Sequence, residues 1–213
     1  MKTKQRKYLF VQELRAEFDG RREAVRARLA EFAAIRPDEY LFELVYCLLT
    51  PQSSAVNAAK AVETLKQAGW LHRECDVAAL LYQDSFYIRF HNTKARHVNE
   101  ARNRFPEIQK ELMNGSSSRE LREWLVHNVR GLGWKEASHF LRNIGHQDLA
   151  ILDRHILRNL KKHNVLSAIP KSLTAKRYLA IEERFHHFAD FLGIRIDELD
   201  LLFWSRETGE ILK

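Results

Sequence analysis

Cysteine is nearly missing from this chain. Its 213 residues contain only Cys47 and Cys75, too few for a four-thiolate iron–sulfur cluster or a zinc finger. Cys47 lies inside the apolar run YLFELVYCLLT and reads as a buried small hydrophobe. Four prolines and eight glycines supply too few turn residues for a β sandwich of this length. No apolar run approaches the roughly 18 residues of a membrane-spanning helix. The opening MKTKQRKYLF is basic but has no apolar core of a secretion signal, so the expectation is an intracellular, nucleoid-associated protein. No H-E-x-x-H pattern occurs, and His186 and His187 are adjacent, so on a helix they diverge by about 100°. No metal site is expected.

Acidic residues are also in deficit. Thirty-five Lys and Arg face 28 Asp and Glu, a formal charge of +7. That balance favours a polyanionic partner, with nucleic acid first among them.

What the chain does contain is helical periodicity. Residues 8–33 carry Leu9, Leu14, Phe18, Val25, Leu29 and Phe32 at helical spacing, with Gly20 as a candidate break. RPDEYLFELVYCLLT opens on a Pro-Asp signal and runs into an almost wholly apolar helix, expected to be central. In PQSSAVNAAKAVETLKQAGW, Ser53 or Ser54 is the expected cap and Gly69 the stop. SFYIRFH could be extended, and NIGHQDLAIL reads as a turn followed by an extended pass. Lys94, Arg96, Arg102 and Arg104 form either a phosphate track or a solvated helix face. NGSSS at 114–118 is the clearest loop and a candidate hinge between two helical subdomains. The fold class is therefore all-α, a single domain over 1–213 built of two such subdomains.

The informative stretch is VRGLGWKEASHFLRNIG, residues 129–145, followed by LDRHILRNL. Gly131 and Gly133 permit left-handed or crowded backbone between two helices, and Leu132 can plug the space between them. Backbone N–H groups at such a corner can receive a phosphate, with Arg130 beside them. A plain helical corner would look the same. Lys135 sits in the first turn of the next helix, against the positive end of the dipole, where the ammonium form is disfavoured. A neutral amine can attack a sugar C1′ and form a Schiff base. Asp153 is well placed as a helix N-cap. Its carboxylate could also stabilise positive charge on a sugar as the base departs, or take a proton from the lysine.

GLGWKEASHFLRNIG…LDRHI resembles the helix–hairpin–helix–Gly/Pro–Asp superfamily of DNA glycosylases. In its bifunctional members a lysine follows the Gly-x-Gly by two residues and an aspartate lies 18 further on; Lys135 and Asp153 keep both spacings. The Gly/Pro loop here has glycine but no proline. LLTPQSSA at 48–55, IRFHNTKARHV at 88–98 and the terminal FWSRETGEILK are similar to the type-2 branch of 8-oxoguanine DNA glycosylase/AP lyases. The resemblance implies an active-site cleft between the two subdomains, a monomer, double-stranded DNA containing 8-oxoguanine as partner, and no cofactor. It implies catalytic roles for Lys135 and Asp153. Gln52 would fill the gap left by the flipped base, or cap a helix. Phe90 and Trp204 would sandwich that base, or pack in the core. The carboxylate of Lys213 would reach the base's Watson–Crick edge, or fray. His155 would contact a phosphate, or face solvent. Arg130, Gly131 and Gly133 would hold the DNA backbone. Two rivals stay open: a bifunctional glycosylase for oxidised pyrimidines or abasic sites, and a helix–hairpin–helix module that binds DNA without chemistry.

Overall fold

The computed structural model describes residues 7–209. Ten helices run through them in the order α1 (Val11–Ala33), α2 (Tyr40–Leu49), α3 (Ala55–Gln67), α4 (Val77–Leu80), α5 (His91–Leu112), α6 (Ser118–Asn128), α7 (Trp134–Asn143), α8 (Arg154–Lys162), α9 (Ala175–Leu192) and α10 (Ile196–Thr208). The strands are two residues each: β1 (Tyr82–Gln83) pairs antiparallel with β2 (Phe86–Tyr87). Of SFYIRFH, only Phe86 and Tyr87 are therefore extended in a ladder. Among the described residues no helix is long and apolar enough to cross a membrane.

The chain divides into two compact units, residues 35–144 and the remainder on either side of that insert. The loop at 114–118 lies within the 35–144 unit, between α5 and α6.

In the 35–144 unit, α2 is the central rod. Its ten residues are almost all apolar, eight are buried, and α3, α5 and α7 pack around it. Ser54, not Ser53, caps α3 by accepting the Asn57 N–H at 3.0 Å. Helix α6 starts on a capping box between Ser117 and Glu120, which satisfies two otherwise orphaned amides.

The other unit contains α1, α8, α9 and α10, with α10 against the other three. Contrary to the expected break, α1 runs uninterrupted through Gly20. A glycine costs a helix interior about 1 kcal/mol. Leu14, Phe18, Val25 and Phe32 are all buried along the same helix, each worth roughly 1.5–3 kcal/mol, so packing wins. Near the end of α10, Arg206 grips Glu17 on α1 through two nitrogens, at 3.0 Å and 2.6 Å. The same guanidinium reaches Asn159 on α8 at 2.6 Å. Its hydrogen bonds and charge hold the Glu17 carboxyl below the usual carboxylate range.

Candidate active site

The corner between α6 and α7 is built much as its sequence suggests. Gly131 has φ 92, the left-handed region. A Cβ there would stand 2.5 Å from Nδ1 of His97 and 3.1 Å from Leu48, so both conformation and space require glycine. Gly133 is extended, with φ −94 and ψ −179, which any residue adopts. Its constraint is room: a Cβ would meet the Glu136 carboxylate at 3.0 Å. Leu132 is buried and plugs the corner. Arg130 is exposed and 3.8 Å from Glu100. The first intrahelical acceptor of α7, Gly133 O, takes the Ala137 N–H at 2.9 Å. The amides before Ala137 have no acceptor within the helix.

Lys135 projects from that first turn, its side chain 29% exposed and its Nζ 3.2 Å from Oε1 of Glu136. Sequence reading missed Glu136, because neighbours on a helix normally point apart. In the first turn its side chain instead folds back over Gly133 and meets the amine.

A second turn sits in the same unit. Gln52 has φ 56, left-handed for a residue with a side chain, and is exposed. It is not a helix cap, since Ser54 takes that position. Ser53 Oγ accepts the Arg89 N–H at 3.0 Å, which ties this turn to the residue before Phe90. Phe90 is 51% exposed, also left-handed at φ 61, with the Arg89 guanidinium 5.0 Å from its ring centre. Core packing is thereby excluded for Phe90.

Lys94 departs most from expectation. It is neither a phosphate ligand nor part of a solvated face: it is buried, and its ammonium donates to Leu49 O at 2.7 Å, Pro51 O at 2.6 Å and Ser53 Oγ at 3.3 Å. Burial pushes its pKa down to about 8; the nearby Lys135 charge pushes the same way and Glu136 opposes both. Arg102 and Arg104 are also engaged within the protein, donating to Trp70 O at 2.7 Å and pairing with Glu107 at 2.9 Å. Of the four basic residues read as a track, Arg96 is exposed, with its guanidinium donating to Thr93 Oγ1 at 3.3 Å.

Asp153, in the other unit, caps α8 as expected. Its Oδ1 accepts the His155 and Ile156 N–H groups, both at 2.8 Å. Oδ2 carries no hydrogen bond among the described residues. The approach to it, Ala150–Leu152, is buried backbone held by side chains. Glu182 accepts the Ala150 N–H at 2.9 Å, Asp200 the Ile151 N–H at 3.0 Å, and Tyr178 Oη the Leu152 N–H at 3.3 Å. Tyr178 also donates to Ala150 O at 2.5 Å. These three side chains supply the partners that a helix or sheet would otherwise give this buried, irregular segment. Nothing in the sequence marked them, because they come from α9 and α10. Gly145, at φ 92, begins the same connection; a Cβ there would meet Ala33 Cα at 2.9 Å. His155 is half-buried in the first turn of α8, and Trp204 half-buried on α10. Lys213 lies outside the described residues. Among those described, no group of three or more His, Cys, Asp or Glu side chains could hold a metal ion.

Residues 25–194 match the family model described as 8-oxoguanine DNA glycosylase. The chain belongs to that family. It is 44% identical to the 8-oxoguanine DNA glycosylase/AP lyase of Fusobacterium nucleatum over 177 residues, 80% of this chain and 81% of that protein. The protein of the same description from Korarchaeum cryptofilum is 43% identical, covering 90% and 91%. The crystal structure of the Methanocaldococcus jannaschii enzyme in complex with 15mer DNA containing 8-oxoguanine superposes with a TM-score of 0.82 at 31% identity, over 94% of this chain and 100% of that one.

Proposed function

We propose that this chain is a bifunctional 8-oxoguanine DNA glycosylase/AP lyase acting on double-stranded DNA inside the cell. The observation that carries the reading is Lys135: an amine in the first turn of α7, directly after a glycine corner, beside a carboxylate.

The duplex is held through its phosphate backbone at Arg130, Gly131 and Gly133, contacts that position DNA without reading sequence. His155 supplies a further phosphate contact. The damaged nucleotide is flipped out, at a cost of a few kcal/mol in lost stacking. Gln52 fills the vacated space. Phe90 and Trp204 stack on the extruded base.

Glu136 takes a proton from the Lys135 ammonium. The free amine attacks C1′ as the glycosidic C–N bond breaks; the base leaves with that bond's electron pair and takes up the proton the amine sheds on bonding to C1′. The Asp153 carboxylate stabilises positive charge on the sugar as it develops. The proton held by Glu136 passes to O4′ as the C1′–O4′ bond breaks, leaving a protonated Schiff base between Nζ and C1′. Loss of a proton from C2′ then expels the 3′ phosphate and nicks the strand.

A set of duplexes, each with one lesion, tests the substrate. Release of 8-oxoguanine with a nick supports the reading. Efficient cutting at thymine glycol with 8-oxoguanine untouched replaces it with an oxidised-pyrimidine glycosylase.

A further inference from the structure

Lys94 is a buried cation held by three neutral oxygens placed along a single turn. Leu49 O, Pro51 O and Ser53 Oγ lie at alternate residues, so one ammonium spans the end of α2 and the whole approach to α3. Two of the three acceptors are the residues on either side of Gln52. Taking an ammonium out of water is costly, and only good hydrogen-bond geometry offsets it. A methionine would fill the same space at less cost, so packing alone does not account for a lysine here.

What the lysine does locally is plain from the backbone. Gln52 sits at φ 56, a conformation that costs a residue with a Cβ of the order of 1 kcal/mol and persists only when its surroundings hold it. The carbonyl before Gln52 and the hydroxyl after it are both held by Nζ of Lys94. Ser53 Oγ also takes the Arg89 N–H, so the same point fixes the start of the segment that carries Phe90. The charges of Lys135 and Glu136 both act on Lys94, so the ammonium that holds this turn lies within electrostatic reach of the amine.

We infer that Lys94 is a positioning residue for lesion recognition: it fixes the 50–54 turn in the strained form that presents Gln52 to the DNA. This rests on the reading of Gln52 as the group that fills the flipped-base gap, and the test separates the two.

In a Lys135→Gln background, which leaves 8-oxoguanine duplex uncut, binding is measured to a duplex with one 8-oxoguanine and to the same duplex undamaged. The readout is the ratio of the two affinities. Gln52→Ala should lower it about tenfold, and Lys94→Met should lower it by a similar factor. Combined, the two should lower it no further than Gln52→Ala alone. Lys94→Arg, which keeps the charge, should recover part of the loss. Ser53→Ala removes one acceptor and leaves two carbonyls, so it serves if Lys94→Met fails to fold. It should give a smaller loss that also vanishes in the Gln52→Ala background.

If Gln52→Ala lowers the ratio but the Lys94 and Ser53 variants do not, the positioning role is wrong and the Gln52 reading stands. If the Lys94 loss persists undiminished in the Gln52→Ala background, Lys94 does not act through Gln52. If Gln52→Ala changes nothing, the gap-filling reading fails, and the positioning role with it.

Discussion

The Lys135 amine and the Glu136 carboxylate face each other at 3.2 Å in the first turn of α7. An amine that must be neutral before it attacks thus has a proton acceptor on the next residue. Glu136 is only 15% exposed, so this acceptor is partly withdrawn from water.

Glu136→Gln should keep the fold and the corner, since the amide fits the same space over Gly133. It should slow formation of the borohydride-trapped adduct by about 10²-fold at neutral pH, the lower end of what a positioned base contributes. Raising the pH should narrow the deficit, because bulk base then removes the proton. Single-turnover trapping across pH measures both. An equal rate in both proteins would give the proton-accepting role to another group.

Asp153→Asn separates the cap from the chemistry. Asparagine caps a helix about as well as aspartate, so thermal stability should change little and lesion binding should persist. Base release should slow by at least about 10²-fold if the carboxylate charge stabilises the departing state. Near-normal turnover would leave Asp153 as a cap only.

Lys94 makes a prediction about stability and pH. Its pKa falls from the ordinary 10.5 to about 8 on folding, so between these values the unfolded chain binds more protons. Stability then rises with pH across that window. Lys94→Met has no such proton to release. The urea stability of the parent protein relative to Lys94→Met should therefore improve by about 2 kcal/mol between pH 7 and pH 10. A difference that stays constant with pH would mean that the ammonium is not held as the structure shows.

The local parts of this molecule were legible in its sequence, and the parts made by distant contacts were not. The glycine corner, the lysine and the capping aspartate are written in short spacings, and each spacing survives in the structure. Lys94 shows the other case. KARH reads as one turn of a solvated basic helix, and only the end of α2 folding over it turns the amine inward. Glu182, Asp200 and Tyr178 likewise look like ordinary helix residues until the segment before Asp153 passes them. Gly20 misleads in the opposite direction: it reads as a break, but the buried face of α1 holds the helix together across it. Of the two reasons for glycine at the corner, left-handed backbone applies at Gly131 and crowding at Gly133, beside Glu136.

Borohydride trapping on a duplex with one 8-oxoguanine tests the nucleophile most directly. The parent protein should give a covalent protein–DNA adduct, and Lys135→Gln, with Lys94 intact, should give none. An adduct of undiminished yield from Lys135→Gln would place the Schiff base on another amine and contradict the account.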